Sequence, residues 1–206
     1  MAGCRRLPDV RGVVVAGQVR PSSAGVGWQL DYLAGRLVEV SGTAALTMVA
    51  RVMLEAQQRG ESVVWISGQA SIFFPPDVHA VGIDLQTLPV VRVRQPSQVV
   101  RAADALLRSG GFAVVVLDLG EQAGLSLSVQ TRLAGLARRY DTALVGVTRK
   151  QSRSPSLGSL VSLRGECSHR RSDFDRFTCA VRAVKDKRCG TGWQHEELRR
   201  GPDGLC

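Results

Sequence analysis

Lysine is nearly absent from this basic chain of 206 residues. The sequence has 27 Lys or Arg residues against 18 Asp or Glu, a net charge of +9, yet only Lys150, Lys185 and Lys187 are lysines. The stretch from Arg149 to Arg200 holds 13 basic and 6 acidic residues, so the positive charge is concentrated there. Arginine pairs bidentately with phosphate or carboxylate, which favours an anionic partner, either nucleic acid or an acidic protein surface. A surface that only solubilises the chain is the alternative.

Long apolar runs and paired cysteines are also missing. The longest apolar run, Phe112–Leu117, has the length of a strand, whereas a membrane-spanning helix needs about 20 apolar residues. Val13–Ala16 is too short for the core of a signal peptide. The five cysteines form no C-x-x-C pair, and the cysteines and histidines from Cys167 onward are too irregularly spaced for a zinc site. These absences predict a cytoplasmic protein that has no membrane span, no disulfide framework and no metal.

Hydrophobic residues, counted with Cys, make up 44 % of the chain. Their pattern along the sequence predicts an α/β domain. Helical spacing is found at 43–59, 96–108 and 126–140, and strands are expected at 37–40, 62–66, 88–93, 112–118, 143–147, 160–163, 176–184 and 193–198. The unbroken apolar run at 112–118 indicates a strand buried on both faces, as in a parallel sheet covered by helices. The last three strands have no helices between them and are expected to pair antiparallel. We expect an N-terminal arm, partly ordered, over residues 1–34 and a core domain over 35–206.

Several segments of the core resemble the RecA recombinases, and they occur in the same order. The family's motifs are matched by Gly35–Gly42 (the strand before the phosphate loop), Gly82-Ile83-Asp84 with Gln95-Pro96, Ala102–Gly110, Val114–Asp118 (the Walker B strand) and Val181–Lys187 (the late V-K-V-V-K-N-K strand). The resemblance implies a RecA-like three-layer sandwich. Its central sheet should be mostly parallel, with antiparallel strands toward the C-terminus.

The nucleotide site of the recombinases is degenerate in this sequence. A working phosphate loop reads G-x-x-x-x-G-K-[ST], whereas Gly42 and Thr43 are followed here by Ala44-Ala45-Leu46, without the second glycine or the lysine. Gln69 stands where the family has the carboxylate that activates water, and an amide is no general base. Asp118 survives, but alone it cannot hold a magnesium–nucleotide complex. We therefore expect neither ATPase activity nor a cofactor.

The sequence also argues against DNA binding by the recombinase mechanism. The loop that would follow the 143–147 strand is reduced to Lys150–Leu157, and it contains no aromatic side chain on which bases could stack. We expect at most weak, non-specific DNA binding, carried by the basic residues Arg149, Lys150, Arg153, Arg170 and Arg171.

A RecA-like chain without a phosphate loop is similar to the ImuA family of accessory proteins in the bacterial SOS response. That resemblance implies a role in mutagenic translesion synthesis, with RecA, an ImuB-like Y-family polymerase homologue and an error-prone replicative-type polymerase as partners. It also implies that Lys185, Lys187 and Arg188 lie where a recombinase meets its neighbour in the filament, so that the protein would cap RecA as a defective protomer. The alternatives are a cell-division inhibitor of the SulA type, which binds the tubulin-like division protein, and an atypical DNA-binding ATPase of the recombinase family.

Overall fold

One eight-stranded sheet flanked by helices forms the part of the chain that the structure describes. The structure is a computed structural model and describes residues 27–68, 71, 73–120, 124–151, 153–173 and 176–200. The strands are β1 Leu37–Gly42, β2 Val63–Ser67, β3 Val90–Arg92, β4 Val114–Gly120, β5 Ala143–Thr148, β6 Leu163–Asp173, β7 Arg176–Asp186 and β8 Gln194–Arg200. The helices are α1 Leu30–Leu33, α2 Ala45–Gln58, α3 Pro75–Ala80, α4 Pro96–Ser109 and α5 Leu127–Arg139, with a short 3-10 turn at Leu85–Thr87.

The sheet is parallel over most of its width. The strand order is β3-β2-β4-β5-β1-β6-β7-β8, with parallel pairing from β3 to β6 and antiparallel pairing of β6 with β7 and of β7 with β8. The carboxyl ends of the parallel strands therefore meet at one edge of the sheet, the carboxyl edge, and their beginnings meet at the opposite amino edge. The predicted fold class, a mostly parallel sheet with antiparallel strands toward the C-terminus, is confirmed.

The helices bury both faces of the parallel strands. α2 lies on one face, where its Met48, Val52 and Met53 pack into a cluster that includes Trp65 and Val116. On the opposite face, α4 and α5 pack over a second cluster built on β2, β4, β5 and the start of β1. α4 ends where Gly110 takes a left-handed conformation (φ +65°), which a side chain would disfavour. No helix in the described ranges is long and apolar enough to span a membrane.

The position of β6 differs from the prediction. The predicted strand at 160–163 is wrong, because β6 begins only at Leu163 and runs parallel to β1. Residues 149–162 connect β5 to β6, returning from the carboxyl edge of the sheet to the amino edge, and no helix is found in the described part of this connection. Leu157 and Val161 bury their side chains in the cluster beneath α5, and the Ser162 N–H donates to the Leu37 carbonyl at 2.9 Å. This crossover loop uses core packing where a parallel connection ordinarily has a helix.

Residues just before β1 pack against the core. Trp28 and Leu33 are fully buried, and the Trp28 indole N–H donates to the Met48 carbonyl of α2 at 2.7 Å. The Leu30 N–H donates to the Glu55 carboxylate, also of α2, at 3.1 Å. Residues 1–26 of the expected N-terminal arm lie outside the described residues, and the division of the chain at residue 34 stays a prediction.

Candidate functional site

The turn between β1 and α2 occupies the place of the expected phosphate loop. Only Thr43 and Ala44 separate Gly42 from the first residue of α2. Gly42 has φ +101°, and a Cβ atom there would overlap the carbonyl group of Cys167 on β6, so the position requires glycine. The Ala44 N–H points at the Cys167 carbonyl oxygen, 3.5 Å away. A carbonyl oxygen therefore faces the backbone N–H at the beginning of α2, where a phosphate oxygen would need to bind.

Asp118, the surviving Walker-type acid, lies at the carboxyl end of β4 and is 3 % exposed. The Ser71 hydroxyl donates to its carboxylate at 2.6 Å, and the Phe73 N–H donates to that hydroxyl at 3.1 Å. Asp118 thus helps to hold the chain segment that follows β2. Gln69, the other residue expected near this position, lies outside the described residues.

Glu39 is a buried carboxylate that the sequence analysis did not single out. It lies on β1 with no exposed surface. The Ser156 hydroxyl and the Leu157 N–H both donate to its Oε2, at 2.5 and 2.9 Å. The Thr148 hydroxyl reaches its Oε1 at 3.4 Å, and Arg164 Nε lies 3.9 Å from its Oε2. Glu39 therefore fixes the crossover loop to the central strand of the fold.

Arg164 holds the first half of the same loop from β6. Its guanidinium donates to the Ser154 carbonyl at 2.7 Å and to the Gln151 carbonyl at 3.1 Å. The Lys150 ammonium donates to the Pro155 carbonyl at 3.0 Å, so this side chain turns back on its own loop. The segment that corresponds to the expected DNA-binding loop is thus fastened at several points to β1, to β6 and to itself.

The predicted partner- or DNA-binding residues divide between the two edges of the sheet. Arg149, Lys150 and Arg153 follow β5 at the carboxyl edge. Because β6 pairs its Cys167 with Gly42 at the end of β1, Arg170 and Arg171 extend beyond that same edge, and both are exposed. β7 runs in the opposite direction and carries the other three candidates, Lys185, Lys187 and Arg188, to the amino edge. The structure therefore gathers two separate cationic groups.

A buried acid organises the cationic group at the amino edge. Asp186, between Lys185 and Lys187, accepts hydrogen bonds from the guanidinium of Arg36 at 2.6 Å, from the Trp193 indole at 2.9 Å and from the Tyr32 hydroxyl. Burial alone would raise the pKa of Asp186, but these donors and the Arg188 N–H hold that pKa below its usual range. Burial, together with the hydrogen bond to Asp186, raises the pKa of the Tyr32 hydroxyl. The end of β7 is thereby joined to the α1–β1 connection.

The lysines beside Asp186 are held in position by a single backbone group. The ammonium groups of Lys185 and Lys187 donate to the Ser159 carbonyl at 3.2 and 2.8 Å. Partial burial, and then the charge of Lys187, lower the pKa of Lys185. The Arg188 guanidinium donates to the Tyr32 carbonyl at 3.3 Å. The amino edge therefore presents positive charge from side chains whose positions are already fixed.

Comparison with known proteins identifies what the chain is similar to. A scan against models of protein families finds no match. RecA proteins do align: that of Clostridium acetobutylicum is 27 % identical over 129 residues, that of Dichelobacter nodosus 29 % over 137, and that of Phytoplasma mali 23 % over 131. These alignments cover 56–57 % of this chain and 37–39 % of the RecA proteins. The chain has a RecA-like fold.

The main determinants of this RecA-like core that the sequence analysis missed are buried charges. Glu39, Arg164, Arg36 and Asp186 are all less than 7 % exposed, and each has partners from another element. A single acid within the apolar strand Leu37–Val40 was the one signal for Glu39. In the described part of the chain, no cluster of three or more His, Cys, Asp or Glu side chains could hold a metal ion.

Proposed function

We propose that this protein is a non-catalytic RecA-like accessory protein of the ImuA type, acting in SOS mutagenesis and translesion DNA synthesis. The observation that carries the proposal is the short β1–α2 turn, in which the Cys167 carbonyl faces the N–H of Ala44. A phosphate at this place would meet a carbonyl oxygen, and the lysine that would neutralise its charge is replaced by alanine. The turn therefore supports a protein that neither binds nor hydrolyses nucleotide and needs no cofactor.

Binding to RecA as a defective protomer is the activity that we propose for the amino edge. The similarity to RecA proteins supports an assembly related to that of RecA. Lys185, Lys187 and Arg188 are held in place by bonds to Ser159 and Tyr32, so little side-chain entropy remains to be lost when they meet an acidic surface. A molecule that offers one complementary face without nucleotide would stop filament growth where it binds. An ImuB-like polymerase homologue and an error-prone replicative-type polymerase are the further partners in this proposal.

The test is RecA filament length and strand exchange in the presence of sub-stoichiometric amounts of the protein. The wild type should shorten filaments and slow strand exchange, because one molecule at a growing end blocks the next addition. The variant Lys185→Glu/Lys187→Glu should be several-fold less effective. Arg94→Glu/Arg101→Glu is the matched control: it makes the same change in net charge at exposed positions near the beginning of α4, toward the carboxyl edge, and should inhibit like the wild type.

Four results would contradict the proposal. Unchanged filaments with wild-type protein would exclude capping, and equal inhibition by all three proteins would move the contact away from the amino edge. Micromolar binding of ATP with magnesium, measured by calorimetry on the same preparations, would contradict the non-catalytic role and favour an atypical ATPase. Purification of tagged protein from DNA-damaged cells should recover RecA and polymerase subunits, whereas recovery of the tubulin-like division protein would favour a SulA-type inhibitor.

A further inference from the structure

Among the described residues, the last strand of the sheet has one side without a neighbouring strand. β8 pairs with β7 and is the outermost strand of the described sheet. The Ala183 N–H donates to the Trp193 carbonyl, and the register continues without a bulge to Arg176 opposite Arg200. In an antiparallel ladder, alternate residues of a strand direct their backbone N–H and C=O groups toward the same neighbour. Trp193 bonds to β7, so the backbone groups of Glu196, Leu198 and Arg200 point away from β7. Such an edge offers N–H and C=O groups to another strand.

Charged residues of opposite sign lie on the two sides of one leucine in β8. β8 contains Glu196-Glu197-Leu198-Arg199-Arg200, with two acids before Leu198 and two arginines after it. When such a strand is turned around and laid beside itself with Leu198 opposite Leu198, Glu196 faces Arg200 and Glu197 faces Arg199 at both ends. Leu198 is 38 % exposed in the single chain, and this pairing would cover it.

We propose that two copies of this protein associate through antiparallel pairing of their β8 strands, with Leu198 on the two-fold axis. The two sheets would join into one continuous sheet, and the interface would be isologous, each patch binding its own copy. Directly opposite charges stabilise an antiparallel pair, and like charges destabilise it. The complementarity covers the edge in this register, which favours a second copy over an unrelated strand.

Other arrangements of the same two strands are disfavoured by charge. A parallel pairing in register would put Glu196 opposite Glu196 and Arg200 opposite Arg200. An antiparallel pairing shifted by two residues would put Glu197 opposite itself. The edge therefore selects both the direction and the register of the pairing.

On the inner face of β8, the buried carboxylate of Glu197 has several partners. The Glu197 carboxylate is bonded by His195 at 2.8 Å, by Arg199 at 2.6 Å and by Arg51 of α2, which joins the edge strand to a core helix. Burial would raise the pKa of Glu197, but the His195 hydrogen bond and the charges of Arg51 and Arg199 lower it to about 2. Glu197 is thus negatively charged at neutral pH, and its Arg199 partner lies on the face that the second copy would extend.

Sedimentation velocity of variants with exchanged charges tests this proposal. The measurement covers about a hundred-fold range of concentration, because an interface made by a single pair of edge strands is small and therefore weak. The wild type should show a monomer–dimer equilibrium. Glu196→Arg puts arginine opposite arginine twice, and Arg200→Glu puts glutamate opposite glutamate twice, so each should weaken self-association about tenfold. An equimolar mixture of the two variants should associate again, since each mixed pair is opposite in charge. The double variant Glu196→Arg/Arg200→Glu should also dimerise.

Charge changes elsewhere on the surface and a check of folding serve as controls. Glu61→Arg and Arg94→Glu make the same charge changes at exposed positions far from β8 and should leave the dimer unchanged. Circular dichroism of every variant checks that the monomer is folded. A wild type that is monomeric at all concentrations would overturn the proposal, and so would single variants that dimerise like the wild type. Failure of both the mixture and the double variant to associate would exclude antiparallel pairing centred on Leu198.

Discussion

At the scale of single residues, a buried acid has the largest structural role. Glu39 is fully buried. Its carboxylate accepts hydrogen bonds from the Ser156 hydroxyl and the Leu157 N–H and lies 3.9 Å from Arg164 Nε, so its partners come from the second half of the chain. Arg164 in turn holds the carbonyls of Gln151 and Ser154. Removing one member of such a group leaves the other charge buried without its counterpart, which costs more than the pair contributes.

We therefore predict that Glu39→Gln lowers the free energy of unfolding by about 3–5 kcal/mol, because Arg164 loses its buried counter-charge. Urea denaturation monitored by tryptophan fluorescence measures this loss. Glu61→Gln, at an exposed position, is the matched control and should change stability by less than about 0.5 kcal/mol. The double variant Glu39→Gln/Arg164→Gln should recover part of the loss. A Glu39→Gln protein as stable as the wild type would show that the carboxylate charge is dispensable.

The sequence could indicate Glu39 only as an acid within an apolar strand. Its partners Thr148, Ser156 and Arg164 lie more than 100 positions away, and no local pattern connects them. The replacement of the phosphate-loop lysine by alanine was readable because it breaks a motif of fixed spacing. The bond between the Ala44 N–H and Cys167 was not readable, since it depends on β6 lying next to β1.

At the scale of elements, the crossover loop is set by one close contact with α5. The buried side chain of Gln130 donates to the Leu125 carbonyl at 2.6 Å and accepts from the Leu160 N–H at 2.9 Å. A Cβ atom on Gly158 would overlap the Gln130 amide group. Glycine at residue 158 leaves room for the Gln130 amide group to make both hydrogen bonds.

Gly158→Ala should therefore lower the free energy of unfolding by about 1–3 kcal/mol, because the added methyl group displaces Gln130 from both hydrogen bonds. Thermal or chemical denaturation gives the value. In the background of Gln130→Ala the same substitution meets no amide group, so the double variant should be more stable than the sum of the two losses predicts, by about 1 kcal/mol. Strict additivity of the two losses would contradict this account of the Gly158–Gln130 packing.

The regular elements were predictable because their periodicity is local. The helices at 43–59, 96–108 and 126–140 were found as α2, α4 and α5, within two residues at each end. No comparable periodicity marks α3, which begins with two prolines, or the start of β6. The predicted strand at 160–163 rested on its apolar residues Leu160, Val161 and Leu163. Val161 is indeed buried, but only Leu163 belongs to a strand.

At the scale of the whole molecule, the candidate cationic residues are divided between two edges of the sheet. Arg170 and Arg171 extend from the carboxyl edge, whereas Lys185 and Lys187 lie at the amino edge. Single-stranded DNA should bind weakly and mainly at the carboxyl edge, with an affinity that falls steeply as salt rises. Fluorescence anisotropy with an oligo-dT at several salt concentrations measures this.

Arg170→Glu/Arg171→Glu should then reduce DNA affinity several-fold and flatten the salt dependence, by about 0.7 in the logarithmic slope for each phosphate that the variant no longer neutralises. Lys185→Glu/Lys187→Glu makes the same change in net charge and should bind DNA like the wild type, because its substitutions lie at the other edge. Equal losses of affinity in both variants would mean that overall charge, and not the carboxyl edge, determines binding. Tight binding at high salt would reveal a specific site that these arginines do not explain.

The position of β1 between β5 and β6 has a consequence for how the chain folds. Leu37 pairs with Leu144, and Val38 pairs with both Val145 and Leu163, so the central strand is made before both of its neighbours and can pair with them only after more than 100 further residues have left the ribosome. Pairings between strands so distant in sequence slow folding, since a long loop must close before they form. Until then the valine-rich strands of the first half expose their apolar faces and unpaired edges, the state in which nascent chains aggregate or bind chaperones.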